Sequence, residues 1–292
     1  MLASLASKMA YASRMQLLFL SLTWLAGINV NGFVAVIPGT GAGAILTIPP
    51  VAEHVVLGAL SAATGALIVG LAWAAGSRRV LGFSLLAVAA IVVAGASGIS
   101  FVLGGASSSD QSMMMATAFI AAIFLTFLAL ASIRPEGPRP WRASDVSKAS
   151  LPAGGLALVL FFGVFVTGMY VNLFVAGPVY SLPLAKQAAA LAKAEGSAGF
   201  IFHEALGGLL LLAVVVMAAT LLRQRGLGVA ASLAAALVAY SAYVGALNLT
   251  STGVVAVSGQ GTQLLSSVGL MAALVITMLL VIRVREDRLY AG

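Results

Sequence analysis

Cysteine is missing from this chain of 292 residues, and histidine occurs only twice. Without a thiol there is no disulfide, no thiolate metal site, no iron–sulfur cluster and no covalently attached c-type heme. Charged residues make up 8% of the chain. None of its lysines falls within a long apolar run, which excludes a retinal linkage, and no buried charge ladder is available for voltage sensing or ion coupling. What the chain has instead is apolar surface, with 61% hydrophobic residues and a mean hydropathy of +1.11. So much of it cannot be hidden in one soluble core, and the chain reads as an integral membrane protein whose first partner is the lipid bilayer.

Apolar runs near the ~20 residues that a helix needs to cross the hydrocarbon layer fall at 15–37, 52–75, 80–103, 112–133, 153–180, 200–222, 226–249 and 262–283. Eight spans are expected, four in each half. The formal charge of +7 could suggest a polyanionic partner, but the positions of the basic residues give it another meaning. Lys8, Arg14, Arg78, Arg79, Arg134, Arg139, Arg142, Lys148, Arg223, Arg225, Arg283, Arg285 and Arg288 fall on one side of an eight-span topology, and only Lys186 and Lys193 on the other. This positive-inside pattern places both termini in the cytoplasm of a multi-pass plasma-membrane protein, with no nucleic-acid partner. The first apolar run is read as part of the fold, not as a cleaved signal, because Asn31 and Phe33 have counterparts in Asn172 and Phe174.

That correspondence is one of several. His54-Val-Val-Leu-Gly-Ala-Leu is echoed by His203-Glu-Ala-Leu-Gly-Gly-Leu, and Gly27-Ile-Asn-Val-Asn-Gly-Phe-Val-Ala by Gly168-Met-Tyr-Val-Asn-Leu-Phe-Val-Ala. Arg79-Val-Leu-Gly matches Arg225-Gly-Leu-Gly, and Ile133-Arg134 matches Ile282-Arg283. The expected fold is all-α: two tandem four-helix-bundle repeats related by a pseudo-twofold axis normal to the membrane. The first repeat would cover residues 1–133, a cytoplasmic proline-rich linker residues 134–152, and the second repeat residues 153–292. Between two spans of the second half, Leu184, Ala188 and Leu191 recur at helical spacing among Lys186, Lys193 and Glu195, which predicts a short amphipathic helix on the outer surface.

Repeats in membrane proteins place functional sites at corresponding positions. His54 and His203 are therefore candidate metal ligands, each near the outer end of its span. Gly58 and Gly207 follow at i+4, on the same face one turn along, where the absence of a side chain would let a planar macrocycle lie against the helix. The plainer alternatives are a histidine hydrogen-bonded near the headgroups and a glycine that serves helix packing. Glu53 and Glu204 flank the histidines and offer a proton acceptor or a partner that orients the imidazole, or else are solvated carboxylates. Asn31 and Asn172 form a matched pair suited to interhelical hydrogen bonding or to a polar contact with a cofactor edge.

The whole arrangement resembles the heme A synthase family, in which two fused four-helix bundles carry histidines near the outer helix ends. The likeness covers the whole chain in architecture, from the eight spans and central linker to a histidine in the second helix of each half. It departs in that the family's fourth-helix histidines are absent from both halves, Thr117 and Ser266 standing near those places. The family's outer cysteine pair and the arginine after the second-helix histidine are absent too. Met114 and Met115, with Met113, stand close to Thr117 and could supply the lost ligand, His/Met ligation of heme being chemically sound; packing is their other reading.

The resemblance implies heme, b-type by preference, with His54 and His203 as ligands of its iron. Three functions remain open on these residues. One is a b-type cytochrome subunit that passes electrons between an extracytoplasmic redox protein and the subunits of a respiratory complex. Another is a divergent heme A synthase, in which Glu53 or Glu204 would assist proton transfer during conversion of heme O to heme A. The third is a heme-free anchor subunit.

Overall fold

Helix-forming alanine and leucine fill the apolar runs, and the prolines stay out of their middles. Pro49 and Pro50 open one helix, where the missing N–H costs nothing, and Pro183 stands just before another. The computed structural model describes residues 4–33, 42–104, 109–133, 149–180, 182–250 and 259–291, and every regular element among them is helical. In chain order these are α1 (Leu5–Phe33), α2 (Ala42–Leu46), α3 (Pro49–Ala74), α4 (Arg78–Leu103), α5 (Ser109–Ser132) and α6 (Ser150–Tyr170). A π-helical stretch, Val171–Ala176, continues α6 into α7 (Gly177–Tyr180), and α8 (Leu184–Glu195), α9 (Ala198–Leu221), α10 (Arg225–Thr250) and α11 (Gly259–Ala291) follow.

Two compact units divide the chain at residues 137 and 138. Inside the first, α1 packs on α3 and α5, and α4 packs on the same two, which closes a ring of four long helices. Inside the second, α6, α9, α10 and α11 pack in the same cyclic order. The expected linker falls mostly on residues 134–148, which lie outside the described residues; α6 begins at Ser150, slightly before the expected start of the second repeat.

Seven helical segments among the described residues are long and apolar enough to cross a membrane, and α1 is not among them. The expected count of eight spans thus exceeds what length and hydropathy support. The cause lies in the composition of α1. Lys8 and Arg14 begin it, and its packed face carries Ser13, Gln16, Ser21 and Thr23, all buried within the first unit.

Local chemistry explains two further details. The α3–α4 turn is closed by Gly76 at φ 64°, with Gly76 N–H donating to Trp73 O and Ser77 N–H to Ala72 O, the αL glycine cap that lets Arg78 start the next helix immediately. The π-helical stretch was not foreseen. Pro178 supplies a physical cause, because it has no N–H for the carbonyl one turn back and its ring crowds that carbonyl, which a widened turn relieves.

Candidate functional site

The two histidine-bearing helices are built alike at their starts. His54 is the sixth residue of α3 (Pro49–Ala74), and His203 the sixth residue of α9 (Ala198–Leu221). In the first case Pro49 and Pro50 set the helix start; in the second, Ser197 accepts a hydrogen bond from Phe200 N–H at 3.4 Å. Each histidine is consequently delivered, half-buried, to the first turns of its helix, on the side that meets the first long helix of its own unit.

There the imidazoles make closely similar contacts. His54 Nδ1 lies 2.9 Å from the carbonyl oxygen of Thr23 on α1. A carbonyl only accepts, so Nδ1 carries the proton and donates it, which leaves a lone pair on Nε2. His203 Nδ1 lies 2.9 Å from Thr167 Oγ1 on α6. That hydroxyl also lies 2.7 Å from Gly163 O, and when it donates its one proton there it accepts from His203 Nδ1–H. With the hydroxyl so turned, both neutral histidines are Nδ1–H tautomers with Nε2 as the basic atom. Orientation of one ring nitrogen by a backbone or hydroxyl acceptor is the arrangement that prepares the other to bind a metal.

A glycine on the facing helix makes room for each ring. A methyl group at Gly27 would stand 2.9 Å from His54 Cε1, and one at Gly168 would stand 3.1 Å from His203 Cε1. Gly27 and Gly168 are the first residues of the matched segments read from the sequence. The sequence had shown the pair, but not that each glycine seats the imidazole of a different helix. Thr23 and Thr167 were likewise not singled out, because spacing along one helix says nothing about a partner across a groove.

The remaining candidates are placed as follows. Gly58 turns toward Thr23, whose Cγ2 would be 3.8 Å from an added Cβ, and an added Cβ at Gly207 would meet nothing within 4 Å. Glu53 and Glu204 are both exposed. Asn172 is half-buried in the π-helical stretch; the side chain of Asn31, at the end of α1, lies outside the described residues. Met115 packs on α4, its Sδ 3.2 Å from where a Cβ would stand on Gly98, while Met114 is 52% exposed. Met114 lines a shallow open depression on α5 with Asp110, Met113, Thr117, Ala118 and Ala121. The methionines thus lie toward α4 and this open face of α5, whereas His54 lies in the groove between α1 and α3.

No three His, Cys, Asp or Glu side chains come together among the described residues as a protein-only metal site would require. A heme iron makes a smaller demand, since the macrocycle supplies four ligands and the protein one or two. One oriented imidazole with a free Nε2 meets that requirement. Comparison of the sequence with known protein families and with curated proteins finds no match.

Proposed function

We propose that the protein is a membrane-embedded b-type cytochrome subunit on a heme A synthase-like scaffold, in which His54 and His203 would hold heme iron through Nε2. The observation that carries this reading is the matched pair of imidazoles, each with Nδ1 2.9 Å from a threonine oxygen of the facing helix and each seated on a facing glycine. When bound, heme supplies one-electron chemistry between its ferric and ferrous states. The chain's own residues hold and tune that group. Thr23 O and Thr167 Oγ1, accepting from Nδ1–H, would orient each imidazole and raise the basicity of Nε2. The partners are an extracytoplasmic redox protein and the subunits of a respiratory complex. Exposure of Glu53 and Glu204 favours this electron-transfer role over an oxygenating synthase, which would need a proton-handling group beside the reacting atoms.

Within this reading α1 is the eighth span. Its 29 residues extend about 43 Å, more than the ~30 Å of the hydrocarbon layer. Its polar side chains Ser13, Gln16 and Thr23 are buried against the neighbouring helices, away from lipid. The basic residues of α1, α4, α10 and α11 mark the cytoplasmic side, and α8 with Lys186 and Lys193 the outer surface. Because the chain has no cysteine, Ser144→Cys and Ala189→Cys each create a single label site. An impermeant maleimide is expected to label Ala189→Cys in intact cells and Ser144→Cys only after permeabilisation; the reverse pattern would invert the topology.

The test of the function is the absorption spectrum of the protein purified from a heme-replete host, with pyridine hemochrome analysis. A Soret band and b-type α-band are expected. A protein that folds in the membrane but shows neither is an anchor, and the cytochrome reading fails.

A further inference from the structure

Ser and Thr side chains inside helices usually turn back to their own backbone. Ser21, Thr23, Ser61, Ser97, Ser132 and Ser241 all do so here, each bonding the carbonyl four residues before it. Ser13, Ser84 and Thr126 of the first unit and Thr277 of the second do not: they are 0%, 2%, 1% and 0% exposed, and the hydroxyl of each is without a partner. Gln16, 1% exposed, adds an unpartnered amide Nε2. Buried polar groups left without a partner are rare in folded proteins and mark an ion or water at the site.

These groups belong to one layer of the bundle. A Cβ at Gly65 of α3 would lie 2.7 Å from Gln16 Nε2 and 2.9 Å from Val88 Cγ2, so α1, α3 and α4 meet there, and the glycine makes room for the amide. Ser13 precedes Gln16 by three residues on α1, and Ser84 precedes Val88 by four on α4, each on the same helix face. On α5, Met115 packs at Gly98 of α4. Running antiparallel from that contact, Thr126 is 126 − 115 = 11 residues on, level with residue 98 − 11 = 87, between Ser84 and Val88. The second unit serves as an internal comparison. In the register that pairs Gly27 with Gly168, the places of Ser13 and Gln16 are taken by Gly154 and Ala157, and in the registers that superpose the buried positions of α4 on α10 and of α5 on α11, Ser84 corresponds to Ala231 and Thr126 to Thr277, which is likewise buried with its hydroxyl unpartnered. The second unit thus keeps the α11 hydroxyl but replaces the groups on its other helices by Gly154, Ala157 and Ala231.

We propose that the interior of the first unit is a water-binding site, ordered water being held among Ser13, Gln16, Ser84 and Thr126. All four groups are neutral, which suits a neutral occupant: a cation here would be left uncompensated in a low-dielectric interior. Hydroxyl and amide together present both donors and acceptors, the mixed set that water satisfies and an apolar ligand does not. Thr23 Oγ1 and Ser61 Oγ, 3.4 Å apart, continue the polar column toward the turn that seats His54. The site itself does not depend on what that histidine binds.

Two measurements on the full-length protein in nanodiscs test the proposal. In X-ray radiolytic footprinting, hydroxyl radicals formed from bound water label even buried neighbours. Once each rate is divided by the intrinsic reactivity of the side chain toward hydroxyl radical, Leu20 in the first unit is expected to be oxidised faster than Phe161, which replaces it in the second unit and is equally buried at 0%. Normalised labelling of Leu20 no faster than that of Phe161 would overturn the proposal. The second measurement is the sign of a stability change. If water bridges the layer, Thr126→Val breaks a made hydrogen bond and lowers Tm by about 2–4 °C. If the layer is dry, the same substitution removes an unsatisfied hydroxyl and raises Tm, which equally overturns the site.

Discussion

His54→Ala and His203→Ala are each expected to remove about half of the Soret absorbance per folded protein, and the double variant nearly all of it, since one imidazole is the protein's ligand in each unit. Both variants should remain in the membrane, because the bundles are held by helix packing that an alanine does not disturb. Added imidazole is expected to restore absorbance, as it supplies the missing nitrogen without the tether. The tautomer assignment sharpens the expectation. Thr167→Val takes away the only acceptor for His203 Nδ1–H and should weaken heme binding in the second unit by about 10–100-fold. Thr23→Val should leave the first unit's affinity nearly unchanged, because His54 donates to the Thr23 backbone, which the substitution retains. Titration of heme into apoprotein reads both. An unaltered Soret band in the double histidine variant would remove these residues as ligands, and equal effects of the two threonine variants would refute the tautomer argument.

The asymmetry between those two threonines shows how far the sequence could be read. Histidines at matched places, the presence of the long helices and the amphipathic helix over Leu184–Glu195 follow from spacing along one segment, and spacing is visible in sequence, whereas helix ends such as Leu5 and Ala291 lie well beyond the apolar runs. The seat of each imidazole is not of that kind. It depends on the offset between two helices, and the residues concerned, Thr23 with Gly27 and Thr167 with Gly168, do not even share the same spacing. An i+4 argument could only propose glycines on the histidine's own helix. The π-helical stretch was hidden for a related reason, since the residues Val171–Ala176 are ordinary helix formers and the cause is a proline two residues further on. At α1 average hydropathy and burial part company. Its polar residues lower the average as if the helix were wet, whereas Gln16 and Thr23 are each 1% exposed inside the unit.

Gly27→Leu and Gly168→Leu are the complementary experiment. With Cβ at 2.9 Å from His54 Cε1 and 3.1 Å from His203 Cε1, and two further branches beyond it, the leucine must push the imidazole out of its groove or force α1 from α3 and α6 from α9. Overpacking of this size costs about 1–3 kcal/mol, which packed bundles are expected to survive, whereas ligand geometry should not. Heme is therefore expected to be lost from the affected unit at nearly unchanged yield of folded protein. The i+4 glycines separate protein packing from cofactor volume. An added side chain at Gly207, as at Gly70, starts with no neighbouring atom within 4 Å, so neither Gly207→Leu nor Gly70→Leu should disturb the protein itself. Loss of heme from Gly207→Leu but not from Gly70→Leu would mean that the macrocycle lies over the turn below His203, the space that the chain's own atoms leave open. Retention of heme in both, together with its loss in Gly168→Leu, would place the macrocycle elsewhere around Nε2 and leave the facing glycine as the residue that positions the ligand. An unchanged spectrum in Gly27→Leu and Gly168→Leu would show that neither imidazole needs its groove, and the matched seats would lose their functional meaning.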